Sequence, residues 1–173
     1  MRRFNNGDNM EKIIHPIKPL YNESSKILIL GSFPSVKSRE QMFFYGHPQN
    51  RFWSLAAKIF FCEAPKSVEE KKKFALSHGI AMWDVISSCE IEGSADSSIK
   101  NVKANDLSQI LEAADIKSIY VNGKTAEKYY NKLILPKIGR AAVCLPSTSP
   151  ANAAYSLDKL YEAWKIIRED VIL

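Results

Sequence analysis

The run Phe43-Phe44-Tyr45-Gly46-His47-Pro48-Gln49-Asn50-Arg51-Phe52-Trp53 crowds flat aromatic rings, a histidine, an amide and a guanidinium into one stretch too polar for plain core. Aromatic faces suit stacking on a planar ring. The Asn50 amide can donate and accept hydrogen bonds together, as reading a nucleobase edge requires. The same residues could be structural, the aromatics filling a core and the polar groups capping a helix, and residue types alone leave both readings open. Capping of a helix entry is the preferred reading for His47, while Phe33 fits core and pocket wall equally. Asp84 could accept from a ring N–H or hold a water, or serve as a salt bridge or cap. Ser32, Ser35, Ser147, Thr148 and Ser149 sit in Ser-Pro-rich segments. Hydroxyls and backbone amides of such loops commonly position a nucleic acid through its phosphates without reading its sequence. Lys124, Lys37 and Arg39 could add charge there, or simply be solvated.

The order of apolar runs supplies a frame for these groups. Lys26 to Leu30, bounded by Gly31, reads as a strand covered on both faces. Ile80 to Ile86, Lys117 to Val121 and Arg140 to Leu145 read as three more. Helical spacing is expected from Asn50 to Phe61, and from Ser67 to Ser77, where Ser67 and Glu70 form a capping box and Gly79 stops the helix. Further helices are expected from Thr125 to about Leu133 and from Ser156 to about Asp170. Strands alternating with helices predict an α/β fold, a three-layer α/β/α sandwich around a four-stranded parallel sheet. In such sheets ligands bind beyond the carboxyl ends of the strands, which places the Ser-Pro loops, Asp84, Asn122-Gly123-Lys124 and the aromatic–Asn segment along one rim.

A chain of 173 residues fits one domain. Residues 1–25 read as an N-terminal arm packed on a domain spanning 26–173, since Pro16 and Pro19 break any helix there. Hydrophobic content of 46% and charged content of 25% describe an ordinary globular protein. No apolar run is long enough to span a bilayer. Met1-Arg2-Arg3-Phe4-Asn5-Asn6 lacks the apolar stretch of a secretion signal, so a cytoplasmic location is expected. A net charge of +5 weakly favours a polyanionic partner. Cys62, Cys89 and Cys144 lack C-x-x-C spacing and His15, His47 and His78 lack metal-ligand spacing. No metal or other cofactor is therefore expected, and the thiols read as buried and reduced. Neither G-x-S-x-G nor G-x-x-x-x-G-K-[ST] occurs, and no G-x-G-x-x-G follows the first strand, so a hydrolase elbow, a P-loop and a dinucleotide site have no support.

Two separated motifs resemble the uracil-DNA glycosylase superfamily. Gly31-Ser32-Phe33-Pro34-Ser35 with His47-Pro48-Gln49-Asn50-Arg51-Phe52-Trp53 is similar to the first motif region of its mismatch-specific members. Leu145-Pro146-Ser147-Thr148-Ser149-Pro150-Ala151-Asn152-Ala153 is similar to the second, the loop that presses on DNA and helps extrude a base. Gly79 to Val85 resembles the second strand, and Val121-Asn122-Gly123-Lys124 the turn after the third. The superfamily pattern Gly-x-Asn/Asp-Pro carries a water-positioning side chain where this chain has Phe33. Gly-Ser-Phe-Pro-Ser with His-Pro-x-Asn downstream is most similar to the hypoxanthine-DNA glycosylase branch.

The resemblance implies a monofunctional glycosylase that removes hypoxanthine from damaged DNA with little uracil activity, acting as a monomer. It implies Asn50 as the catalytic residue with Asp84 beside it, and Tyr45 as the ring that stacks on the flipped base, with Phe33, Ser32 and His47 around it. DNA contacts then come from Ser35, Ser147, Thr148, Ser149, Ala151, Asn152 and Lys124. Ala151 and Ala153 are smaller than the wedge and base-contacting residues of related enzymes, which leaves the plug of the DNA stack unassigned. The alternatives are a uracil or thymine mismatch glycosylase, which Phe33 argues against, and a nucleic-acid- or nucleotide-binding module that kept the fold without the chemistry.

Overall fold

The computed structural model describes residues 11–172; residues 1–10 of the expected arm lie outside the described residues. Its centre is β2 (Ile27–Gly31), every residue of which is buried. Parallel to it run β3 (Ile80–Asp84), β6 (Ser118–Asn122) and β7 (Val143–Leu145), in the order β3-β2-β6-β7. Alternation along β2 divides the core. Ile27 and Ile29 join Phe52, Trp53, Leu55, Phe74 and Trp164 on one face, from α2 (Phe52–Ile59), α3 (Val68–Ser77) and α7 (Leu157–Trp164). Leu28 and Leu30 join Ile110, Ala126 and Tyr130 on the other, from α4 (Ser108–Ala113), α5 (Lys124–Tyr129) and the π-helical turn Tyr130–Ile134 that follows it. Covering both faces explains why this strand is continuously apolar. The result is the expected three-layer α/β/α sandwich. The short helices α1 (Val36–Gln41), α6 (Leu135–Ile138) and α8 (Ile166–Ile172) and a 3₁₀ turn at Asp96–Ser98 are the other helical segments among the described residues.

The run Ile80 to Ile86 is not one strand. It breaks at Val85, and β4 (Ile86–Glu90) leaves for a separate antiparallel sheet, ordered β1-β4-β5 with β1 (Lys12–Ile14) and β5 (Lys100–Ala104). Both halves are apolar, so periodicity could not divide them. The break is held by the Asn105 amide, which donates to the backbone oxygens of Asp84 and Ile86, and by the Val85 N–H, which donates to Gly31 O. Asp84 therefore stands at the carboxyl end of the parallel sheet.

The arm between residues 11 and 25 is tied down. β1 pairs with β4, Leu20 and Met82 exchange backbone hydrogen bonds, and the Trp83 indole donates to Ile17 O. Smaller corrections have local causes. β7 is shorter than Arg140 to Leu145 because the Arg140 carbonyl accepts from the Tyr130 hydroxyl and its guanidinium donates to Ile116 O, which holds it in a loop. Ser67 caps α3 by accepting from Glu70 N, but the Glu70 carboxylate accepts from Lys66 N rather than closing the box on Ser67. The last helix divides at Lys165 into α7 and α8. The thiols are all free, but Cys62 is exposed, Cys89 buried and Cys144 half-buried; burial pushes the Cys89 thiol up to about 11.

Candidate active site

A cleft of about 1110 Å³ opens beyond the carboxyl ends of the parallel strands. Its wall includes Gly31 to Ser35, Tyr45, His47, Asn50, Asp84, Asn122 to Thr125 and Leu145 to Asn152, so the two motif regions meet in one site. The volume lies slightly above the usual range for small-molecule pockets.

Asn50 is fixed by a relay of neutral groups. Its Oδ1 accepts from the Phe52 backbone N–H at 3.0 Å and from the Thr148 hydroxyl at 2.9 Å. Thr148 in turn accepts at Oγ1 from the Asn122 amide at 3.0 Å, and its N–H donates to Asn122 Oδ1 at 3.0 Å. Because Phe52 N–H can only donate, the amide orientation is settled. The oxygen end caps the entry to α2, and Nδ2 is left without a protein partner among the described residues. One end of the amide is therefore structural, and the other is not engaged by the protein among the described residues. His47 caps a tight turn instead of the helix, its Nδ1 accepting from Gln49 N at 3.1 Å.

Arg51 binds the two motif regions together. Its guanidinium donates to the backbone oxygens of Ser149, Asn152 and Tyr155, and its N–H donates to Thr148 O. A planar fork of donors suits such a clamp. The Trp164 indole holds the same loop through Pro146 O. Gly123, at φ 95°, lets the turn after β6 press against the loop: a Cβ there would lie 3.0 Å from Ser147 Cβ. Sequence reading did not give Arg51 this task, although its place beside Asn50 in the motif was a signal.

Tyr45 has one ring face against Phe52, with centroids 4.4 Å apart and planes at 26°. Its backbone sits at φ 54°, a left-handed conformation that costs a bulky residue about 1–3 kcal/mol and tends to persist at functional sites. Its hydroxyl is buried without a hydrogen-bond partner among the described residues, and burial, reinforced by the Asp84 charge, drives its pKa far up.

Asp84 pairs with His15, whose Nε2 lies 2.7 Å from Asp84 Oδ2. Oδ1 has no protein partner among the described residues. It packs over Gly31 so closely that a Cβ there would stand 2.4 Å away. The sequence offered no sign of His15, which is 69 residues from its partner.

The expected phosphate ligands are mostly engaged internally. Thr148 is fully buried and serves Asn50, so it cannot meet a phosphate. Ser35 caps α1, accepting from Ser38 N. Ser147 accepts from Ser149 N, and Ser149 accepts from Ala151 N, as turn-forming hydroxyls do. Asn152 donates to Ser147 O. The Ser32 hydroxyl donates to Asp96, a cleft residue whose carboxyl is raised by loss of solvent and lowered in part by that bond. Phe33 is buried at the cleft wall, which joins its two readings. Lys124 and Ala151 are exposed at the rim. Tyr155, 37% exposed on the same loop, is a larger side chain than either alanine and was not singled out by the sequence. Among the described residues no group of His, Cys, Asp or Glu is arranged to hold a metal, and no helix is long and apolar enough to cross a membrane.

Comparison with known proteins gives the same frame. Residues 18–169 match the model of the Uracil DNA glycosylase superfamily. The chain is 35% identical over 148 residues to a protein of Methanosarcina acetivorans named hypoxanthine DNA glycosylase, covering 84% of this chain and 92% of the relative. It is 34% identical to one of the same name from Methanosarcina barkeri, covering 78% and 85%. The solution structure of a uracil DNA glycosylase candidate from Methanosarcina acetivorans superposes with a TM-score of 0.78 at 31% identity, over 93% of this chain and 100% of that one. With two motifs converging on one cleft, the sandwich topology and a family match over most of its length, this chain belongs to the uracil DNA glycosylase superfamily.

Proposed function

We propose that the protein is a monofunctional DNA glycosylase that hydrolyses the N-glycosidic bond of hypoxanthine, the deaminated form of adenine, in damaged DNA. The relatives named above support this substrate. The observation that carries the reading is the Asn50 amide, held so that its unpaired N–H end stands at the wall of the cleft.

The target nucleotide rotates out of the duplex into the cleft, a step that is cheapest for a weakly paired, damaged base. The bond to N9 then breaks with its electrons passing to the base, leaving an oxocarbenium-like sugar. Water adds at C1′, and its proton ends on the released base or in solvent. Because its oxygen is already committed, Asn50 acts as a donor. It holds the water oxygen or the charge developing on the departing base, and does not remove a proton. One well-placed donor of this kind lowers the barrier by about 3 kcal/mol.

Asp84 Oδ1 is an acceptor suited to the N1–H of hypoxanthine. Adenine presents a lone pair at N1 instead, and two acceptors repel. The Tyr45 ring, at the cleft wall, takes the base by stacking, worth roughly 1–3 kcal/mol. Phe33 stands where the superfamily pattern has a water-positioning polar group, so little action on uracil is expected. Backbone groups of the loops at 31–35 and 145–152, with Lys124, Ala151 and Asn152 at the rim, follow the DNA backbone. The enzyme works as a cytoplasmic monomer.

Labelled oligonucleotides bearing inosine, uracil, xanthine or ethenoadenine, treated with protein and then alkali, test the proposal. Strand cleavage is expected at inosine and little at uracil. Tight DNA binding with no cleavage at any base would leave the binding-module reading in its place.

A further inference from the structure

We propose that His15, which precedes the family-matched residues 18–169, is the positioning residue for Asp84. The inference rests on the role given above to Asp84 at the base edge. The direction of the bond follows from its neighbours. His15 Nδ1 accepts from Ile17 N at 3.2 Å and so carries no hydrogen. Nε2 therefore carries it and donates to Asp84 Oδ2 at 2.7 Å, with both side chains nearly excluded from solvent, at 2% and 5% exposure. A neutral imidazole thus donates to an ionised carboxylate, the stronger kind of hydrogen bond.

That bond selects which oxygen faces the substrate. Oδ2 is occupied, and the Asp84 backbone oxygen is held by Asn105. Oδ1 is then turned over Gly31, where the missing side chain leaves it room. His15 is itself held on every side. Its backbone N–H donates to Ser87 O at 2.7 Å, and its ring stands edge-on to Phe33 and Trp83, with centroids at 5.9 and 6.1 Å. The apolar Phe33 wall excludes water from the pair, which strengthens the bond. Without the donor, the carboxylate loses the bond that fixes its orientation and is free to turn. The arm between β1 and β2 is thus part of the site, through one imidazole.

The test uses the full chain and single-turnover release of hypoxanthine from an inosine-bearing duplex. His15→Ala is expected to slow release roughly ten- to a hundredfold, as small misplacements of a reacting group do. His15→Gln, whose amide N–H can still reach the carboxylate, should recover part of that loss. The loss should vanish in an Asp84→Asn background, where no carboxylate remains to be held. An equal loss in both backgrounds, or none in His15→Ala, overturns the proposal. Imidazole ¹⁵N shifts of His15 in the free protein give a readout without catalysis, and decide the matter should His15→Ala fail to fold. An Nε2–H tautomer whose Nε2 shift moves on Asp84→Asn is expected, and a ring indifferent to residue 84 overturns it. A wild-type protein with this tautomer that releases no hypoxanthine would overturn the glycosylase reading while supporting the His15–Asp84 pairing.

Discussion

Asn50 and Asp84 reach the same cleft from different ends of the sheet, and they are held there by different means. Asn50 is oriented from the β6–β7 side by a chain of neutral hydrogen bonds through Thr148 and Asn122. Asp84 is oriented from the β3 side by one charge-assisted bond from a residue of the arm. A neutral relay shares its load: loss of one link leaves Phe52 N–H still holding the Asn50 oxygen. A single bond to a charge has no such reserve. The difference teaches that the donor half of the site should tolerate damage to its supports better than the acceptor half.

The largest effect should come from the donor itself. Asn50→Ala is expected to lower single-turnover excision of hypoxanthine by on the order of a hundredfold or more. DNA affinity should fall much less, because phosphate contacts elsewhere dominate it. Asn50→Asp sharpens the point. One carboxylate oxygen can still cap Phe52 N–H, but the other meets the substrate as an acceptor, so the loss should match that of alanine. Activity retained in Asn50→Asp would show that Asn50 serves as an acceptor.

Gly31→Ala strikes the acceptor half. The new methyl would lie 2.4 Å from Asp84 Oδ1 and 3.2 Å from Tyr45 Oη, so the carboxylate has to move. Excision slowed by roughly tens-fold is expected, with a stability loss of about 1–3 kcal/mol in denaturant titration. Thr148→Val strikes the relay. It leaves the half-buried Asn122 amide without its acceptor at the wholly buried position 148, which costs about 1–3 kcal/mol of stability. Excision should fall by only about tenfold or less, since Phe52 N–H remains, and Thr148→Ser should be close to wild type. If Thr148→Val proved as damaging as Asn50→Ala, the relay would be no more forgiving than the single bond.

The two halves also differed in how readable they were. The Asn50 half was legible because its parts lie in two compact motifs, and the four strands that position them are apolar runs of ordinary length. The exchange of Thr148 from phosphate ligand to buried support was not, because a hydroxyl looks the same in sequence whichever way it turns. The Asp84 half was illegible beyond the carboxylate. Its partner is a lone histidine in a proline-broken arm, and the edge strand that fixes the arm pairs with β4, which seemed continuous with β3. The antiparallel sheet was missed for the same reason: Lys100–Ala104 is half-exposed and carries two lysines, so it lacks a clear apolar face.

The smallest effect is expected at the rim, where Tyr155 and Ala151 share the second loop. Extruding a base leaves a gap in the stack, and a side chain that fills it lowers the cost of flipping. Ala151 is too small to fill that gap. Tyr155 is large, 37% exposed, beside the cleft, and fixed through its backbone oxygen by Arg51. If it serves as the plug, Tyr155→Ala should slow excision from duplex DNA by a factor of roughly three to ten and leave excision from single-stranded DNA unchanged, because a single strand has no stack to open. An equal slowing on both substrates would mean that the tyrosine supports the loop rather than the DNA, and would extend the Arg51 clamp, and with it the Asn50 half of the site, to the rim.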